Sequence, residues 1–172
     1  PWIPPLLRWF ARHQRAMPWR ERPEPYAVWV SEIMLQQTQV ATVIPYFRRF
    51  MTRFPTVRKL AAAHFQEVLK LWEGLGYYSR ARNMHRAAQK IVRGHAGCLP
   101  DTAEELSALP GFGPYVAGAV ASIAFGQPVP AVDGNVVRVF ARFLAIRANV
   151  STAAARNRIR DVLAQVVPAG KA

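Results

Sequence analysis

The chain has 172 residues, of which 51% are hydrophobic, and its 23 Lys and Arg against 10 Asp and Glu leave a net charge of +13. That length allows one substantial core or two small lobes, and that apolar content excludes a disordered chain. No apolar run reaches the roughly 18 residues of a membrane span, and the single cysteine, Cys98, excludes an internal disulfide framework.

Apolar spacing predicts helices almost throughout. Leu6, Leu7, Phe10 and Ala11 mark a first amphipathic helix, and Pro18, Pro23 and Pro25 a loop. A helix is expected from Tyr26 to Val40, carrying Gln36-Gln37-Thr38-Gln39 at its end. Pro45 predicts either a break or the first turn of another helix, which runs to Phe54. Thr56 suits the cap of a short helix from Val57 to Ala63, and Phe65 to Trp72 is the next, stopped by Gly74-Leu75-Gly76. Ser79 to Arg93 follows, closed by Gly94. Asp101-Thr102-Ala103-Glu104 resembles a capping box for Ala103 to Leu109. Tyr115 to Phe125 is apolar on nearly all sides and predicts a buried central helix. Asp133 caps a helix to about Ile146, and Ser151 to Val166 is the last. Only Val129 to Val132 offers a short extended run. The fold class is all-α.

Between two helices stands Leu109-Pro110-Gly111-Phe112-Gly113-Pro114-Tyr115. Glycine permits a tight turn, and proline suits a first helical position. The turn would point the N–H groups of Gly111 and Gly113 outward, a surface that holds a phosphate oxygen without reading a base. An ordinary helical corner has the same pattern. The charge favours a polyanionic partner, and 19 of the 23 basic residues are arginine, which suits bidentate phosphate contacts.

Ten acids can be weighed one by one, and two stand out. Glu32 has Val28 and Leu35 as helical neighbours, which would desolvate its carboxyl and suit it to proton transfer, although an exposed first-turn glutamate also fits. Asp133 fits an N-cap, and a cap carboxylate facing a cleft can also stabilise positive charge. The glycine loop Gly74-Leu75-Gly76-Tyr77-Tyr78 and the pair Trp19-Arg20 place aromatics where they could stack on or wedge between bases. Trp2, Trp9, Trp29 and Trp72 are assigned to the core. The four histidines show no ligand spacing and are read as surface residues.

These motifs together resemble the adenine DNA glycosylases of the endonuclease III superfamily. The matching segments are Met17-Pro18-Trp19-Arg20, then Trp29 through Val40, Thr42 through Phe47, Leu71 through Asn83, the hairpin, and Val132-Asp133-Gly134-Asn135-Val136. The resemblance implies removal of adenine mispaired with 8-oxoguanine or guanine in double-stranded DNA, with the nucleotide turned out into a pocket. Glu32 matches the acid that protonates adenine at N7, and Asp133 the carboxylate beside the oxocarbenium-like sugar. Tyr115 matches a hydroxyl position near the sugar, and Asn135 would orient the site. Tyr77 would wedge into the stack, and Gln37 and Thr38 would contact the opposing base. Arg15, Trp19 and Leu35 match pocket-lining positions, with Arg20 beside them and Gly111 and Gly113 on the backbone phosphates. Bifunctional relatives carry a lysine where Tyr115 stands, so monofunctional chemistry is implied.

The resemblance also implies two lobes, a six-helix barrel over residues 21–130 and a second lobe from 1–20 with 131–172. The family carries a [4Fe–4S] cluster on four cysteines. This chain lacks them, so no cofactor is expected within it. It begins at Pro1, and a fragment of a longer protein is expected. The stripe Ile159, Val162, Leu163 and Val166 would then lie exposed. A monomer is expected, with no membrane partner, in a bacterial cytoplasm at the nucleoid. A glycosylase for another mispaired base such as thymine, a non-catalytic DNA-binding module and an RNA-binding helical protein are the competing readings.

Overall fold

A computed structural model describes residues 2–21 and 23–168; Pro1, Arg22 and residues 169–172, the last belonging to the expected second lobe, lie outside it. Among the described residues there are eleven helices and no strand, so the run Val129 to Val132 is irregular backbone.

The amino-terminal helices are α1 (Ile3–His13) and the single turn α2 (Pro18–Glu21), which lies within the expected loop. Helix α3 (Pro25–Leu35) is buried from Tyr26 through Met34 and packs on α9 (Pro114–Phe125), buried from Val116 through Ser122. Two apolar helices thus share the centre where one was expected, and the rings of Trp29 and Phe112 stack between them at 5.2 Å.

Around this pair stand α4 (Val40–Arg53), α5 (Val57–Ala62), α6 (Phe65–Trp72), α7 (Ser79–Gly94) and the short α8 (Ala103–Ser107). Pro45 neither breaks nor starts a helix. It sits inside α4, whose buried Val43, Phe47 and Phe50 hold it to the core. The cost is one missing backbone bond. Thr56 caps α5 by accepting from the Lys59 N–H, as expected. The cap of α8 is Thr102, with Glu105 as its partner instead of Glu104. His85 is buried, with Nε2 3.0 Å from the Ala63 carbonyl, and is not a surface residue. Trp9 is 57% exposed and is not core.

Two apolar clusters result. The larger is built from residues between Met17 and Ala121. The smaller joins α10 (Gly134–Phe143) to α11 (Ala153–Ala164) through Val137, Ile159 and Leu163. The expected exposed stripe on the last helix is therefore covered at Ile159 and Leu163. Leu6, Trp9 and Phe10 of the first helix are exposed, as are Ile123, Val139 and Phe143. Trp2 meets Phe140 and Phe143 edge-on, both at 5.8 Å, and so sets the start of α1 on α10.

Gly111 adopts φ +80°, and a Cβ there would approach the Asn83 Cβ to 2.8 Å. Here the turn does require glycine. Gly113 has φ −74° and is the N-cap of α9; a Cβ on it would meet open space. Gly118, on α9, lies under the segment that leads to α10, where a Cβ would come 2.8 Å from the Pro130 carbonyl oxygen.

Candidate active site

Helix α3 presents Glu32 toward the first turn of α9, where Tyr115 stands directly after the hairpin. The tyrosine hydroxyl donates to Glu32 Oε2 at 2.7 Å, across 83 residues of sequence. Glu32 is 8% exposed. Burial pushes its carboxyl above the usual carboxylate range. The bond from Tyr115 acts against that shift, the negative charge of Asp133 adds to it, and the charge of Arg20 opposes it. Burial and the charge of Glu32 push the Tyr115 phenol well above its ordinary value, so it stays protonated and donates.

Asp133 caps α10, as its place before Gly134 predicts. Its Oδ1 accepts from the Val136 N–H at 2.7 Å, and its Oδ2 accepts from Asn135 Nδ2 at 3.0 Å. Asn135 in turn accepts from Arg138 at 2.9 Å. The close approach of α9 to Pro130 at Gly118 lets this segment run across the helix that carries Tyr115.

Two cavities meet at these residues, and Glu32, Leu35, Tyr115, Asp133 and Asn135 line both. One, of about 660 Å³, opens between α3, α9, α10 and the start of α11, with Gln37 and Arg156 on its wall. The other, of about 560 Å³, runs toward α1 and α2 past Arg15, Trp19 and Arg20. Trp19 is buried against Phe47 at 5.2 Å and lines the cavity from within, so it is not an exposed loop aromatic. Arg156 had no sequence signal, being one arginine in the run Arg156, Arg158 and Arg160.

Thr38, Tyr77, Gly111 and Gly113 line neither cavity. Helix α3 ends at Leu35, so Gln36–Gln39 form a turn and not a helix end. In that turn Thr38 Oγ1 donates to the Gln36 carbonyl at 3.3 Å. Gln37 has φ +56° and Tyr77 φ +47°. Left-handed backbone in such side chains costs on the order of 1–3 kcal/mol each and persists only where the surroundings impose it. Tyr77 is 61% exposed, with the Arg80 guanidinium 5.4 Å from its ring centroid.

No group of three His, Cys, Asp or Glu among the described residues could hold a metal ion. An iron–sulfur cluster takes four thiolates, and this chain supplies only Cys98, which is exposed. The residues present do not fit that group.

A buried acid bonded to a tyrosine thus shares a cleft with a second carboxylate, beside the turn between two helices. Residues 30–165 match the model of the HhH-GPD superfamily base excision DNA repair proteins, and the chain belongs to that family. It is 49% identical over 171 residues to the adenine DNA glycosylase of Homo sapiens, across 94% of this chain and 31% of that protein. The chain spans about a third of the length of the mammalian relatives it matches. Among solved structures, a thermostable thymine-DNA glycosylase superposes with a TM-score of 0.88 at 25% identity, across 99% of this chain and 78% of that one. A non-covalent endonuclease III–DNA complex superposes with a TM-score of 0.78 at 25% identity, across 98% and 78% of the respective chains. The fold is the all-α helix-hairpin-helix glycosylase fold.

Proposed function

We propose that this chain is the catalytic part of a monofunctional DNA glycosylase that hydrolyses the N-glycosidic bond of adenine mispaired with 8-oxoguanine or guanine. The observation that carries this reading is the buried Glu32 carboxyl under the Tyr115 hydroxyl, facing Asp133 where two cavities join. The likeness to adenine DNA glycosylases at nearly half identity favours adenine over thymine.

Duplex DNA lies against the hairpin. The N–H groups of Gly111 and Gly113, which take no backbone partner among the described residues, receive a phosphate. Tyr77 enters the stack, Gln37 and Thr38 meet the opposing base, and the adenine turns into the cavity past Arg15, Trp19, Arg20 and Leu35. Glu32, whose carboxyl burial shifts toward the protonated form, gives its proton to adenine N7. The C1′–N9 bond breaks with its electron pair leaving on the base. Asp133, oriented by Asn135, faces the positive charge that develops on the sugar. Water then adds to C1′ and gives its proton back to the Glu32 carboxylate, leaving free adenine and an abasic sugar. Among the described residues no lysine lines either cavity, and a phenol forms no Schiff base, so the strand stays intact.

The separate apolar clusters support two lobes that part near residue 130, a six-helix barrel over 21–130 and a second lobe from 1–20 with 131–172, although Met17 and Trp19 are buried in the cluster of the first. A monomer is proposed. In a bacterial cell the substrate would place the protein at the nucleoid.

The test is to incubate the protein under single-turnover conditions with duplexes carrying A opposite 8-oxoguanine, A opposite guanine, and T opposite guanine. Free adenine from the first two, with alkali needed to cut the strand, is the expected result. Release of thymine, or strand cleavage without alkali, would overturn the reading.

A further inference from the structure

Arg80 opens α7, and its guanidinium points away from that helix into the gap between two turns. Nη1 donates to the carbonyls of Ile33 at 2.9 Å, Met34 at 3.2 Å and Gln36 at 2.5 Å. Nη2 donates to the carbonyls of Leu75 at 3.0 Å and Gly76 at 3.2 Å. The guanidinium carbon lies 5.5 Å from the Trp72 ring and 5.4 Å from the Tyr77 ring. One side chain therefore ends α3 and ties that end to the glycine turn.

The choice of carbonyls has a consequence. Gln36 and Gly76 are the residues just before Gln37 and Tyr77, and those two are the left-handed side chains of the two turns. The same guanidinium thus holds the peptide that enters each strained residue. A planar fork can span carbonyls from two segments at fixed spacing, which a lysine ammonium cannot reproduce. Both residues would otherwise relax toward ordinary backbone, and each turn could do so independently.

We propose that Arg80 is a positioning residue for base extrusion: it fastens the Gln36–Gln37 turn and the Gly76–Tyr77 turn into one rim, so that the wedge and the reader of the opposing base keep a fixed separation. The proposal rests on the glycosylase reading above. Arg80 touches neither cavity and takes no part in the proton transfer.

Two measurements on Arg80→Lys and Arg80→Met test it. The methionine keeps an apolar stem on Trp72 and removes every donor. Amide hydrogen exchange should rise in residues 36–39 and 75–78 together, with α5 unchanged. With 2-aminopurine in place of the adenine opposite 8-oxoguanine, the fluorescence rise that reports unstacking should slow by roughly ten- to a hundredfold. The pH dependence of adenine release should keep its shape, since Glu32 is untouched. Loosening of one turn alone, or of neither, would overturn the clamp. Loosening of both with extrusion at the normal rate would overturn its role in extrusion. A wild-type protein that unstacks the analogue in no duplex would overturn the glycosylase reading instead, and the exchange measurement would still decide the clamp.

Discussion

Glu32→Gln is expected to lower single-turnover adenine release by roughly 10²- to 10⁴-fold while duplex affinity stays unchanged. The amide keeps the shape of the carboxyl, and its oxygen still accepts from the Tyr115 hydroxyl. It has no proton to give to the departing base. The variant should also fold more firmly near neutral pH. The folded-state pKa of Glu32 is raised, so the stability this group contributes is fully present below its ordinary value near 4.5 and is lost as pH rises through the folded value. Glutamine does not titrate, so the variant should melt above the wild type at neutral pH and the gap should close in acid. Loss of activity together with a lower melting temperature at pH 7 would point to damaged folding and not to a missing proton.

Asp133→Asn is expected to slow the chemical step by about 10²- to 10³-fold, the range for removing one group aimed at charge that develops in a transition state. Its value lies in separating two roles. Asparagine caps a helix about as well as aspartate, so the bond from the Val136 N–H survives. The bond from Asn135 does not, because two amide donors would face each other, but it is exposed and worth about 1 kcal/mol or less. Stability should therefore change little while the rate collapses. A variant that loses stability and keeps its rate would leave Asp133 as a cap and nothing more.

The parts of this arrangement that were legible in the sequence are those governed by neighbours in the chain. Asp133 before Gly134, Thr56 before Val57 and the Pro-Gly-Phe-Gly hairpin each act within a turn, and the structure has them at those places. The end of α3 was not legible. Glutamine is a good helix former, so Gln36–Gln39 read as more helix. A continuing helix would need the carbonyls of Ile33 and Met34 for its own N–H groups, and Arg80, 47 and 46 residues further along, takes them. The surroundings of Glu32 were half legible. Val28 and Leu35 announced desolvation, but the tyrosine that meets the carboxyl comes from a helix 83 residues away. Nor could spacing show that α3 is as buried as α9: the glutamate and serine in it suggest a wet face, yet Ser31 and Glu32 are both buried.

The central claim is that a buried carboxyl delivers the proton that frees the base. The pH dependence of single-turnover excision, measured for the wild type and for Tyr115→Phe, tests it most directly. The wild-type rate should be highest on the acid side and fall as pH rises through the raised pKa of Glu32, because only the protonated form can act. The Tyr115 hydroxyl stabilises the ionised carboxylate, so removing it should move that fall to higher pH. A rate that is flat or rising across this range, or a fall that Tyr115→Phe leaves in place, would contradict the assignment of Glu32 as the acid.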